Sequence, residues 1–213
     1  MYRGAVPSQL TTPKKVNFAR LSRIVFDLFA QILRDILLFY YQRPKDLQQK
    51  IKDVQLQHKL KKHMTTIMDG DGYEKCDIQI LYTLLRNTCQ IIPPTITERR
   101  RLGWGGDDMP SRDCITVGDD IERIRIIRNT VCSHINNTEI EDGKFEKYYE
   151  ISLGVCKRLT GKFGAKDYVE ELETLKMCRM EADMLVALTE QVIESIESNE
   201  ALRDYVTKQT SKI

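Results

Sequence analysis

Residues 119–137 read DDIERIRIIRNTVCSHINN, and the organisation of the whole chain follows from how that stretch folds. Ile121, Ile124, Ile127 or Arg128, Val131 and Ile135 recur at three- and four-residue steps, the period of a helix with one face in a core. The opposite face carries Glu122, Arg123 and Arg125, and the end carries Arg128, Asn129 and His134. Six steps of ~100° set Arg128 and His134 roughly 120° apart around an ideal helix and about 9 Å apart along it. The two side chains converge only if the helix ends or bends near Ser133. Asn136 and Asn137, poor helix formers with turn habits, supply that ending.

A guanidinium is a permanent, forked donor that matches phosphate oxygens in pairs. Imidazole gives or takes a proton near neutral pH. An arginine and a histidine at one helix end therefore make a candidate phosphate site with acid–base capability. The dipeptide alone carries little, because Arg86-Asn87 repeats it with no histidine following. His58 and His63 have no arginine at the needed spacing and read as surface histidines.

Upstream, Thr116 and Asp119 have the form of a capping box with aspartate in the usual glutamate position, which starts the helix. Before it lies 93–117, PPTITERRRLGWGGDDMPSRDCITV, a long loop rich in proline, glycine and charge. Arg99, Arg100 and Arg101 beside Trp104 suit single-stranded nucleic acid. A solvated charge run with the indole packed on the domain as an anchor is the plainer alternative, and the two readings stay open. Arg125 joins these arginines as a candidate RNA contact.

Further out, every periodic segment is helical. Val16 to Gln42 carries the stripe Leu21, Ile24, Val25, Leu28, Ile32 and Ile36, closed by Pro44. A second helix is expected from Pro44 to about Thr66, and a third from Cys76 or Asp77 to the Pro93-Pro94 stop. Asp69-Gly70-Asp71-Gly72 lacks the spacing of a calcium loop and reads as a turn. Phe145 to about Leu159 predicts a fifth helix, and Tyr168 to about Asn199 one last long helix. No stretch alternates as a strand does. The expected architecture is all-α, with 1–15 a flexible lead, 16–199 the helical domain and 200–213 a tail or linker.

The totals agree with a globular domain. At 213 residues, 41% hydrophobic and 30% charged, the chain is long enough and apolar enough for one core. A net charge of +2 leaves any nucleic-acid contact to local patches. The six cysteines are widely spaced with no C-x-x-C pair, which argues against a zinc ribbon, a RING or a redox motif. Ile24 to Tyr41, the most apolar segment, is broken by Asp27, Gln31, Arg34 and Asp35 and does not read as a membrane span. No targeting signal is legible, and a cytoplasmic protein with reduced thiols is expected.

Taken together, LLRNTC at 84–89, LGWGGDDMP at 102–110 and GDDIERIRIIRNTVCSH at 118–134 resemble the HEPN family (higher eukaryotes and prokaryotes nucleotide-binding). The resemblance is to the type found at the N-terminus of the DAZ-interacting RING ubiquitin ligase and its invertebrate relatives. It runs from about Phe18 to Leu175 and is most specific from Trp104 to His134. It implies a helical bundle that forms a homodimer, with the motifs of two subunits facing one cleft that cuts RNA without metal or other cofactor. Carried over by position, Arg128 would bind the scissile phosphate, Asn129 would orient it or hold the helix end, and His134 would move the proton. The chain would then be the N-terminal module of a larger immune or regulatory protein. Ser133 stands where relatives often have glycine, and the RING ligands are missing. The competing expectation is a catalytically inactive dimerisation or protein-interaction module in which Arg128 and His134 close a buried polar network. Nucleotide sensing at the same pocket would use the same residues.

Overall fold

The computed structural model describes residues 12–56, 60, 73, 76–98, 103–178 and 184–197. Among them every regular element is a helix.

The first long helix is the spine of the bundle. It starts three residues ahead of the expected position, as α1 (Pro13–Arg23), with proline in its first turn and Thr12 accepting a hydrogen bond from the Lys15 backbone. It passes through a π-helical segment (Ile24–Phe29) and continues as α2 (Ala30–Tyr40). In the π segment Ile24, Val25, Phe26, Leu28 and Phe29 are all in the core, and Asp27 pairs with Arg23. Ile32, Leu33, Ile36 and Leu37 continue the buried face.

After Pro44, α3 (Pro44–Asp53) buries only Leu47 and Ile51. It stops well short of Thr66, because Val54 leaves the helical region and Gln55 takes a left-handed φ of 55°. The turn expected at 69–72 lies outside the described residues. Helix α4 (Ile78–Thr88) is capped by Asp77, whose carboxylate accepts from the Ile80 backbone, and it packs on α2. It ends at Thr88 rather than at the prolines. The Tyr41 hydroxyl donates to the Thr88 carbonyl at 2.5 Å and so satisfies an acceptor that the helix end leaves open.

The central helix α5 (Val117–Ser133) crosses α1, the π segment and α4, and α6 (Asp142–Leu159) packs against both α1 and α5. Helix α7 (Tyr168–Met177) lies on α6. The single long last helix expected from the sequence is two. Cys178 adopts extended backbone, with the Arg20 guanidinium donating to its carbonyl at 3.5 Å and that of Arg23 to its Sγ at 3.3 Å. A further helix, α8, follows over 184–197 and buries Leu188, Val192 and Ser195.

No described helix is long and apolar enough to cross a membrane. No disulfide links the six cysteines. Burial pushes the Cys76 and Cys89 thiols up to about 11 and that of Cys156 to about 12, so these three pack as small apolar groups rather than act as nucleophiles.

Candidate functional site

The central helix begins with the capping box that its sequence predicts. Thr116 accepts from the Asp119 backbone, and Asp119 in turn accepts from the backbone and hydroxyl of Thr116 at 3.0 and 2.8 Å. The same carboxylate accepts from the backbone and hydroxyl of Thr95 at 2.7 and 2.8 Å. Burial alone would raise its pKa; the hydrogen bonds from Thr95 and Thr116 outweigh burial and hold it below the ordinary carboxylate value. Gly118 is required here, because a Cβ would sit 2.5 Å from the Ile92 carbonyl oxygen. The helix start is thereby pressed onto the Pro93-Pro94 segment.

One turn on, the structure departs from the sequence reading. Glu122 and Arg123, expected on the outer face, are buried at 0% and 3% exposure. The loop before the helix folds back over that face. Glu122 accepts from the Tyr82 hydroxyl at 2.5 Å, from the Gly105 backbone at 2.8 Å and from Arg125 at 2.9 Å. Burial first, and this hydrogen bond second, push the Tyr82 phenol well above its ordinary value. Gly105 has a φ of 78°, open to glycine, which lets its N–H turn inward to Glu122. Trp104 sets its indole edge-on to Tyr82 at 5.9 Å, so the tryptophan is an anchor for the loop. Arg123 donates to the carbonyls of Ser111 and Cys114 and pairs with Asp120 at 2.7 Å; Arg158 from α6 reaches the same carboxylate at 2.6 Å.

The C-terminal end holds the motif. The helix closes at Ser133 with His134 as its C-cap, where the Asn136-Asn137 signal puts it. Arg128 is 2% exposed. Its Nη2 donates to the carbonyl and hydroxyl of Ser195 on α8 at 2.8 and 2.7 Å, its Nη1 to Oδ1 of Asn129 at 3.3 Å, and its Nε is buried without a partner. Asn129 is exposed. His134 is half-buried, with Nε2 at 2.8 Å from Nζ of Lys144 at the start of α6.

Of the predicted site residues, Arg128 and Asn129 are therefore brought together, and His134 has a different partner. A cleft of about 230 Å³ beside the motif is lined by Asp107, Arg125, Ile126, Asn129, Thr130 and Ser133. Neither Arg128 nor His134 lines it. Arg125 reaches it only with a guanidinium already engaged by Glu122 and the Gly106 carbonyl. Arg99, Arg100 and Arg101 lie outside the described residues.

Sequence reasoning missed Ser195 and Lys144. Ser195 stands 67 positions from Arg128, and no local pattern links them. Lys144 lies just ahead of the helix expected from Phe145, and α6 includes it by starting at Asp142.

The family model described as DZIP3/hRUL138-like HEPN covers residues 34–187, well over half of the chain, so Arg128, Asn129 and His134 fall inside it and Ser195 beyond it. No curated protein and no solved structure matches.

Proposed function

The chain belongs to the DZIP3/hRUL138-like HEPN family, and from that premise we propose an RNA-binding module with Arg128 as its phosphate-binding group and metal-independent endonucleolytic cleavage as its chemistry. The observation that carries this is the company Arg128 keeps. It is a permanent cation, sealed from solvent, facing only neutral acceptors among the described residues and leaving one N–H unsatisfied. Burying an ion without a counter-ion costs several kcal/mol, and burying its unpaired N–H adds about 1–3. A phosphodiester brought to that guanidinium would supply the missing charge and the missing acceptors together.

In this proposal Ser195 holds the place of the phosphate, and α8 must move off for RNA to enter. Asn129 orients the guanidinium. His134 moves the proton as the neighbouring 2′-hydroxyl attacks, leaving a 2′,3′-cyclic phosphate and a 5′-hydroxyl. Lys144, next to the imidazole, adds positive charge where negative charge grows in the transition state. A homodimer would set two such motifs across one cleft, in a larger cytoplasmic protein of immune or regulatory role.

A second reading is favoured by the seal itself. Arg128 bonded to Ser195 ties two helices together, and in that role the domain is a dimerisation or protein-interaction module without catalysis.

The test is incubation of the purified chain with single-stranded RNA in EDTA, beside His134→Ala and Arg128→Ala variants whose folding is checked by circular dichroism. Cleavage reduced ~100-fold or more in His134→Ala supports the nuclease, since acid–base groups contribute factors of about 10²–10⁴. RNA binding weakened in Arg128→Ala supports the phosphate role. Wild-type protein that neither binds nor cuts RNA overturns both and leaves the interaction module.

A further inference from the structure

Away from the motif, a cleft of about 680 Å³ lies between α6 and the 110–112 segment, with Arg123 and Arg158 in its wall. We propose that it is a binding site for a small organic phosphomonoester with an apolar body.

The argument begins with charge. Arg123 and Arg158 share one carboxylate, that of Asp120, so their cluster carries one positive charge in excess. Arg158 points Nε and Nη2 at Asp120. Its Nη1 lies over Gly154, where an added Cβ would stand 3.2 Å away, and makes no hydrogen bond among the described residues. Arg112 and Lys147 line the same cleft, both exposed and without an ion pair among the described residues. Two wall carboxylates oppose them. Glu146 is engaged by Lys176 at 3.0 Å, and Glu150 is the acid left to set against the cations. The four cations of the wall, less Asp120 and Glu150, leave about two positive charges, which a phosphomonoester of charge about −1.5 to −2 neutralises.

Shape supplies the rest. Small-molecule sites occupy roughly 300–1,000 Å³, and this cleft falls in that range, with far more room than a bare phosphate needs. Ile151, Pro110 and the bare backbone of Gly154 give the remaining wall an apolar surface for the body of the ligand. The phosphate would sit on Nη1 of Arg158 and the Arg112 guanidinium, and the body would lie along α6 over Gly154.

Isothermal titration of the full chain with phenyl phosphate tests this, with phenol and inorganic phosphate as controls. Saturable binding is expected, with phenol silent and inorganic phosphate at least tenfold weaker. Arg112→Glu should weaken phenyl phosphate at least tenfold. Gly154→Leu, which crowds the cleft over α6 beside Arg158 without removing a charge, should weaken it several-fold, and Arg128→Ala should leave it unchanged. Absence of binding by the wild type overturns the proposal, as does equal binding by Arg112→Glu and Gly154→Leu. Loss confined to Arg128→Ala would also overturn it, by moving the anion to the motif. None of these outcomes depends on whether the chain cuts RNA.

Discussion

The two ends of the central helix treat charge in opposite ways. At the N-terminal end Asp119 is wrapped in four hydrogen bonds from two threonines, Asp120 faces two guanidiniums, and Glu122 faces one guanidinium, one phenol and one backbone amide. At the C-terminal end Arg128 faces a serine and an asparagine, and His134 faces a lysine. At the first end every buried charge faces an opposite one or a set of hydrogen-bond donors, and these contacts fasten the segments before the helix to the bundle. The second leaves a buried positive charge with no negative one to meet it among the described residues. Charge at the first end is met within the fold, and the charge at the second is the one the proposed RNA contact would use.

The largest effect that could break this contrast is at Asp120. Asp120→Ala strands the guanidiniums of Arg123 and Arg158, the first almost fully buried. Removing one partner of a buried ion pair costs about 3–5 kcal/mol, and urea unfolding should show a loss of that order. A loss under about 1 kcal/mol, the range of an exposed pair, would mean that this end is no more structural than the other.

A smaller loss is expected at Asp119, and its pH dependence has a sign. The folded carboxyl titrates below its unfolded value of about 3.9, so its stabilisation is complete above that pH and is lost as pH falls through the folded value. Asp119→Asn should cost about 1.5–3 kcal/mol at pH 7, the worth of hydrogen bonds to a charged group. Thermal unfolding of the two proteins should then converge as the pH is lowered well below 4. A difference that stays constant from pH 7 to pH 3 would show that the carboxylate charge plays no part.

What the sequence made legible follows the same division between local and distant chemistry. The helix start at Thr116, its end at Ser133 and the apolar stripe from Ile121 to Val131 rest on interactions within a few residues, and each stands where the sequence puts it. The helical period puts Glu122 and Arg123 outward, where charge on an amphipathic face ordinarily meets water. Their burial depends on the Gly105 amide and the Ser111 and Cys114 carbonyls arriving from the loop, which no helical period encodes. The break at Cys178 is likewise set by arginines of the first helix, far away in sequence. At the motif, the residue types point to a phosphate site, but the seal comes from Ser195, beyond the end of the family match.

The smallest expected effect is the most discriminating. Arg128→Met replaces a buried cation with an apolar side chain of comparable length. It removes the desolvated charge and the unsatisfied Nε, and it takes a donor away from Ser195, whose hydroxyl can turn to a carbonyl of its own helix. Apolar replacement of buried ionic groups is often neutral or stabilising, so the variant should unfold within about 1 kcal/mol of wild type or above it. Asp120→Ala and Arg128→Met both delete a buried charge from one helix, and the contrast predicts a difference of several kcal/mol between them. If Arg128→Met loses as much as Asp120→Ala, the guanidinium is a structural tie between α5 and α8 and the interaction module is the better account. If it loses little and RNA affinity falls, Arg128 is kept for a ligand rather than for the fold.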